Sequence, residues 1–170
     1  HNPGCFRPQN NHIFRVGRKA FPSAETGTPI MPNIYATAVN YKDRAVLLTG
    51  PSASGKSDLA LRLIVRHGAR LIADDRTDIR AEDGFLRVSA PDNIAGLLEV
   101  RGIGIQKVPF DREGTAVLLV ELVDSPQSVE RLPAAVFAEL EGVSLPKVRL
   151  WAFESSAADK IVIKMDSLLD

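Results

Sequence analysis

The chain predicts an α/β fold with a mixed β-sheet and flanking helices, on three observations. An apolar run at 45–48 leads into Gly50-Pro51-Ser52-Ala53-Ser54-Gly55-Lys56-Ser57 and then into a helical pattern. That is the strand, phosphate loop and helix order of a βα nucleotide-binding unit. Short β-rich runs joined by polar turns signal hairpins, which a purely parallel sheet lacks. A length of 170 residues suits one such domain, and no internal repeat or second domain interrupts it.

Residues 1–30 mix Pro3, Gly4, Pro8, Pro22, Gly27 and Pro29 with polar side chains and carry Arg7, Arg15, Arg18 and Lys19. This composition predicts a mostly disordered leader or an upstream segment foreign to the fold, with Met31 a candidate start and 31–170 the folded domain. Residues 34–41 alternate and are rich in β-formers, so they read as a strand. A polar turn at 41–44 hands on to the strand before the phosphate loop.

The helix follows over 58–67. Asp58, Arg62 and Arg66 recur at four-residue spacing as a polar stripe, while Leu59, Leu61, Leu63, Ile64 and Val65 fill the remainder. Packing on most sides is expected, with Gly68 ending the helix. Residues 71–73 form a second buried strand that ends in Asp74-Asp75. A hairpin is expected next, with strands at 77–81 and 85–90 around a turn at 82–84. Strand character returns at 97–100 and 116–123. Signals over 125–141 are mixed, and 147–153 reads as a last strand. Ser156 with Asp159 makes a capping-box-like start for a final helix. In it Ala158, Ile161, Val162, Met165, Leu168 and Leu169 share one face, assigned to the core.

Composition removes several function classes. Lys+Arg and Asp+Glu are equal at 21 each, so no global charge favours nucleic acid or an anionic membrane. No apolar stretch is long enough to span a bilayer. Cys5 is the single cysteine, which rules out an intrachain disulfide and a cysteine-based metal site. A cytoplasmic location fits this composition.

The chemistry concentrates at the loop. Backbone N–H groups of 50–55 can wrap a phosphate chain, Lys56 can neutralise the outer phosphates, and Ser57 can ligate Mg²⁺. The helix N-terminus adds partial positive charge. Phosphoryl transfer also needs a carboxylate for the metal or the nucleophile. Asp74 and Asp75 end a strand beside the loop, and since adjacent strand residues face opposite ways, one of the pair is the functional group. Asp124 follows another apolar run, but it precedes Ser125-Pro126 and reads as a turn residue. Glu99 and Arg101 would share a strand face before Gly102 and Gly104. That pattern fits a ligand-binding pair or a surface ion pair equally well.

Three blocks together resemble the catalytic domain of the HPr kinase/phosphorylase family: the loop, Leu71-Ile72-Ala73-Asp74-Asp75-Arg76, and Leu98-Glu99-Val100-Arg101-Gly102-Ile103-Gly104-Ile105. The similarity covers about residues 33–165 and is to the short, single-domain forms. It implies a compact P-loop kinase fold of the phosphoenolpyruvate carboxykinase-like type, usually assembled as a homo-hexamer. It also implies an enzyme that uses ATP and Mg²⁺ to phosphorylate a serine of HPr, the phosphocarrier protein of the sugar phosphotransferase system. The same enzyme would remove that phosphate by phosphorolysis. By the resemblance, Lys56 binds the β- and γ-phosphates, Asp74 exchanges the serine proton, Ser57 and Glu99 ligate Mg²⁺, and Arg131 is a catalytic arginine.

Two departures stand out. Tyr35 occupies the place ahead of the loop where the family usually has a catalytic histidine. A phenol with an ordinary pKa of about 10 does not become cationic at neutral pH, so phosphorolysis is expected to weaken more than kinase activity. Comparing both rates with those of a Tyr35→His variant tests this. Of the arginine-rich loop tied to dephosphorylation, only a fragment is recognisable around Leu145-Pro146-Lys147-Val148-Arg149, and no site is assigned there. Two other functions stay open on the residues alone: a P-loop kinase of a small hydroxyl substrate, and a nucleotide-binding regulatory module with reduced catalysis.

Overall fold

The computed structural model describes residues 18–19, 31–91 and 94–169. The expectation of a disordered leader over 1–30 therefore lies outside the described residues, apart from a two-residue strand β1 (Arg18–Lys19) paired with β2 (Asn33–Ile34). Cys5 also lies outside them.

The predicted strand over 34–41 divides at Tyr35, a bend between β2 and β3 (Ala36–Tyr41). Lys42 and Asp43 both take positive φ, as a two-residue hairpin turn requires, and return the chain antiparallel as β4 (Arg44–Thr49). Beyond the phosphate loop, α1 (Lys56–His67) ends at Gly68, whose φ of 68° is the left-handed closing conformation expected of it. Leu59, Ala60, Leu63 and Ile64 are buried, but Val65 is 73% exposed. The helix is thus packed on one broad face and not on most sides.

β5 (Arg70–Ala73) pairs antiparallel with β3. The predicted hairpin forms as β6 (Thr77–Glu82) and β7 (Phe85–Ser89), with Asp83 and Gly84 at positive φ. β8 (Leu97–Val100) and β9 (Gly104–Lys107) make a separate two-stranded hairpin. β10 (Glu113–Leu122) is the hub of the main sheet: its start pairs antiparallel with β7, its end parallel with β12, and β4 runs parallel along it.

The unassigned stretch 125–141 contains a 3₁₀ turn at Pro126–Ser128 and the strand β11 (Val136–Leu140). β11 pairs antiparallel with β12 (Val143–Leu150), which starts earlier and ends earlier than the predicted 147–153. Finally α2 (Ala157–Ser167) begins after Ser156, whose side chain makes no capping bond, so the expected capping box is absent.

Period-two alternation sends the two sides of β3 and β4 into different cores. Val39, Tyr41, Val46 and Leu48 face α1 and α2, where Ile161 and Met165 close the layer as predicted. Ala36, Ala38, Ala45 and Leu47 face the other way, against Ile79, Leu86, Val88 and Leu145 from the curled outer strands. The mixed sheet is ten-stranded among the described residues. It carries the phosphate loop at the C-terminal end of a central strand, where α/β proteins bind ligands.

Candidate active site

Two glycines make the loop possible. Gly50 has φ 151°, and a Cβ there would stand 2.6 Å from Ser54 Oγ. Gly55 has φ 96°, and a Cβ would stand 2.6 Å from Ala152 Cβ, with the Phe153 ring close behind. The left-handed backbone and the close approach both require glycine. From Gly55 the chain enters α1, whose first-turn N–H groups have no intrahelical acceptor and point into the loop.

Lys56 is buried although it starts the helix. Its Nζ donates to the carbonyls of Gly50 at 2.7 Å and Pro51 at 3.3 Å, and it pairs with Asp75 Oδ1 at 3.6 Å. The ammonium therefore sits at the mouth of the loop it belongs to. Asp75 is exposed and at φ 63°, just past the end of β5.

Asp74 is the better fixed of the two carboxylates. Its Oδ1 accepts from Ser57 Oγ at 2.6 Å and Thr37 Oγ1 at 3.2 Å, and its Oδ2 accepts from the Glu99 backbone N–H at 3.1 Å. Three elements, β3, α1 and β8, hold one side chain. A carboxylate offers about four acceptor positions, so one remains for an incoming hydroxyl. Strand β8 reaches the site because Leu98 is anchored in the core while Glu99, its neighbour, faces outward. Ser57 spends its proton on Asp74, which leaves its oxygen lone pairs for a cation.

The resulting cleft has a volume of about 290 Å³ and is lined by the loop from Ser52 to Ser57, by Asp75, Glu99 and Arg101, and by Phe153. Among the described residues no ion pair joins Glu99 to Arg101. Both instead face the cleft, Arg101 from the turn after β8, which favours the ligand-binding reading of that pair. Among the described residues no group of three or more His, Cys, Asp or Glu side chains could hold a metal. Mg²⁺ needs few protein oxygens because it keeps waters and substrate phosphates as ligands. Ser57 and Glu99 are hard oxygen donors of that kind and fit it.

The other predicted site residues fall elsewhere. Arg131 is exposed between the 3₁₀ turn and β11 and is not among the residues lining the cleft. Asp124 is exposed beyond β10, as a turn residue would be. Tyr35 stands beside the loop by register, since Ala36 pairs with Thr49. Lys147 and Arg149 both reach Glu121 on β10, at 3.3 and 2.6 Å, so the basic fragment around them ties the sheet together.

Sequence reading missed several residues. Thr37 shows no motif; only its two-residue offset from Tyr35 along β3 hints at its place. Arg62, read only as part of a polar stripe, donates to the carbonyls of Glu154 and Ala152 and so pins the Phe153 turn over the loop. Arg76 reaches the Tyr35 hydroxyl at 3.3 Å.

The profile of the HPr serine kinase C-terminal domain matches residues 31–162. A curated HPr kinase/phosphorylase from Clostridium novyi is 53% identical over 64 residues, which is 38% of this chain and 20% of that protein. Another from Bacillus cereus is 47% identical over 109 residues, 58% of this chain and 35% of that protein. The chain thus spans between a fifth and about a third of the length of these relatives. The solved structure of the Hpr(Ser) kinase/phosphatase from Coxiella burnetii superposes with a TM-score of 0.69 at 25% identity, covering 80% of this chain and 96% of that one. With this P-loop kinase-type fold and a profile match over most of its length, the chain belongs to the HPr serine kinase C-terminal domain family.

Proposed function

We propose that the chain is a protein-serine kinase that transfers the γ-phosphoryl group of Mg·ATP to HPr and can also remove that phosphate by phosphorolysis. The observation that carries this is Asp74, bonded to the Ser57 hydroxyl at 2.6 Å at the foot of the phosphate loop. An aspartate held at that point can receive a proton from an alcohol approaching a phosphate in the loop. The names of the relatives supply the acceptor, HPr.

In the kinase direction the serine oxygen attacks the γ-phosphorus, its proton passes to Asp74, and the bond to the β-phosphate oxygen breaks to release ADP. Lys56 and the first turn of α1 hold the phosphates and absorb negative charge as it moves to the leaving group. Arg101, which lines the cleft, can add to this charge neutralisation, a part that the family resemblance gives to Arg131. Ser57 and Glu99 would hold Mg²⁺, which when bound would offset negative charge on the phosphates. In the separate phosphorolysis reaction an inorganic phosphate oxygen attacks the phosphoserine phosphorus, the bond to the serine oxygen breaks, Asp74 returns the proton to that oxygen, and pyrophosphate forms. A cytoplasmic homo-oligomer, a hexamer by resemblance, is part of this proposal. No helix among the described residues is long and apolar enough to cross a membrane.

The test is incubation with Mg·ATP and purified HPr, read by mass spectrometry. A phosphate-sized gain on HPr that Asp74→Ala reduces by about 100-fold or more supports the reading. Nucleotide binding with no transfer to HPr overturns it. Transfer to small hydroxyl metabolites alone would mark a metabolite kinase, and no transfer at all a regulatory module.

A further inference from the structure

We propose that Arg76, held by Tyr35, is an anion-binding residue on the acceptor side of Asp74, where it receives the phosphoryl group of a phosphoserine or a free phosphate. The proposal deepens the kinase/phosphorylase reading and rests on it for the identity of the phosphoprotein. Thr37 Oγ1 donates to Asp74 and accepts from the Asp75 N–H at 3.1 Å; Thr77 Oγ1 donates to the Ala36 carbonyl at 2.8 Å. The next contact outward is Arg76 Nη2 to the Tyr35 hydroxyl at 3.3 Å, with the guanidinium carbon 4.9 Å from the ring centroid. Residues 35–37 and 74–77 are therefore linked contact by contact, and the Arg76–Tyr35 pair follows directly after the one that holds the proposed base.

The same register sets the other neighbour. Ala36 pairs with Thr49, so Tyr35 comes level with Gly50, whose carbonyl accepts from Lys56 Nζ at 2.7 Å. Arg76 and Tyr35 thus lie between the end of β5 and the start of the phosphate loop, at the open end of the strands.

The chemistry of the pair points to a ligand. Arg76 is half-buried, and among the described residues it forms no ion pair. Other arginines of the fold, such as Arg62, Arg70, Arg80, Arg87 and Arg149, each face a carboxylate. A guanidinium that is partly removed from water and supported by a phenol keeps donors free for a phosphate, which it matches in bidentate geometry. Tyr35 alone brings no charge. Arg76 brings a cationic guanidinium to the same spot.

The experiment measures binding of two probes, the phosphoserine form of HPr and inorganic phosphate, to the full chain with saturating Mg·ADP. Arg76→Gln should weaken both by about 10- to 100-fold, the worth of a charge-assisted hydrogen bond, while Mg·ADP affinity stays within about twofold. Arg76→Lys should recover part of the loss, and Tyr35→Phe should show a smaller one because the ring still supports the guanidinium. Unchanged affinity for both probes in Arg76→Gln overturns the proposal. So does an equal loss of ADP and phosphate, which would mark a structural role. If wild type ignores phosphorylated HPr, the acceptor reading fails, and inorganic phosphate alone decides: Arg76-dependent binding sustains the anion site, and Arg76-independent or absent binding overturns it.

Discussion

Thr37 is fully buried, yet its hydroxyl does two jobs within 3.2 Å: it donates to Asp74 and accepts from the Asp75 backbone. It fixes which way the Asp74 carboxylate turns and secures the chain as it leaves β5 for the left-handed residue Asp75. Thr37→Val keeps the shape but leaves the part-buried Asp75 N–H without this acceptor and Asp74 without this donor. Such a loss destabilises a fold by about 1–3 kcal/mol, which urea denaturation would read. If Asp74 serves as the base, the same variant should lower kcat by about 10-fold or more with little change in the KM for ATP, because orientation and not nucleotide binding is lost. Thr37→Ser should restore both. Stability lost without any change in kcat would show that Thr37 only braces the loop.

The element that carries the chemistry is the β4–loop–α1 unit, and it was the most legible part of the sequence. Its conformation is dictated locally: a buried strand, two positions that only glycine can fill, and a helix whose end is marked by another glycine. Gly55→Ala forces a Cβ against Ala152 and into a left-handed φ of 96°. It should destabilise the fold by about 1–3 kcal/mol and weaken ATP analogue binding by about 10-fold or more in a titration. Retained ATP affinity would mean that the loop relaxes without losing its cradle. The hairpin around Asp83-Gly84 was legible for the same local reason. β11 was not. Val136-Phe137-Ala138-Glu139-Leu140 mixes strand and helix formers, and it is a strand because β12 lies alongside it. Arg62 and Thr37 escaped notice likewise, since each gains its role from a partner distant in sequence, Glu154 and Asp74 respectively. Asp74 and Glu99 could be nominated from motifs, but only the fold shows that the Glu99 backbone N–H holds Asp74.

At the scale of the whole molecule, the helices cover one face of the sheet and outer strands curl over the other, so strand-to-strand contacts at the rim decide how the second core stays closed. Balanced charge means that no global repulsion opposes folding near neutral pH; what titration does to stability depends on particular rim groups. Hydrogen bonding from Arg87, against the opposing effect of burial and with help from Arg80, holds the Glu113 carboxyl below its ordinary value of 4.5. Burial pushes Asp111 up, but hydrogen bonds from Asn40 and Arg70 outweigh it and leave that carboxyl below 3.8. A carboxyl with a lowered folded pKa adds stability that is complete above its unfolded pKa and disappears as pH falls through the folded one. The Asp166 hydrogen bond raises Lys42, so its contribution runs oppositely, complete below 10.5 and lost as pH rises beyond it. The chain should therefore be most stable on the plateau between these limits. Glu113 joins β10 to β6 and β7 through Arg80 at 3.3 Å and Arg87 at 2.7 Å, and its side chain is 47% exposed, so solvent screens the pair and the gain stays small. Glu113→Gln should destabilise by about 0.5–1 kcal/mol at neutral pH, and the gap should narrow toward zero as pH falls below 4.5 and then through the lowered folded value, where the native carboxyl also loses its charge. Urea midpoints for both proteins across that range decide the matter: a gap that stays constant with pH would mean that Glu113 acts through shape or packing, and that charge pairing at the rim does not set the acid limit of the fold.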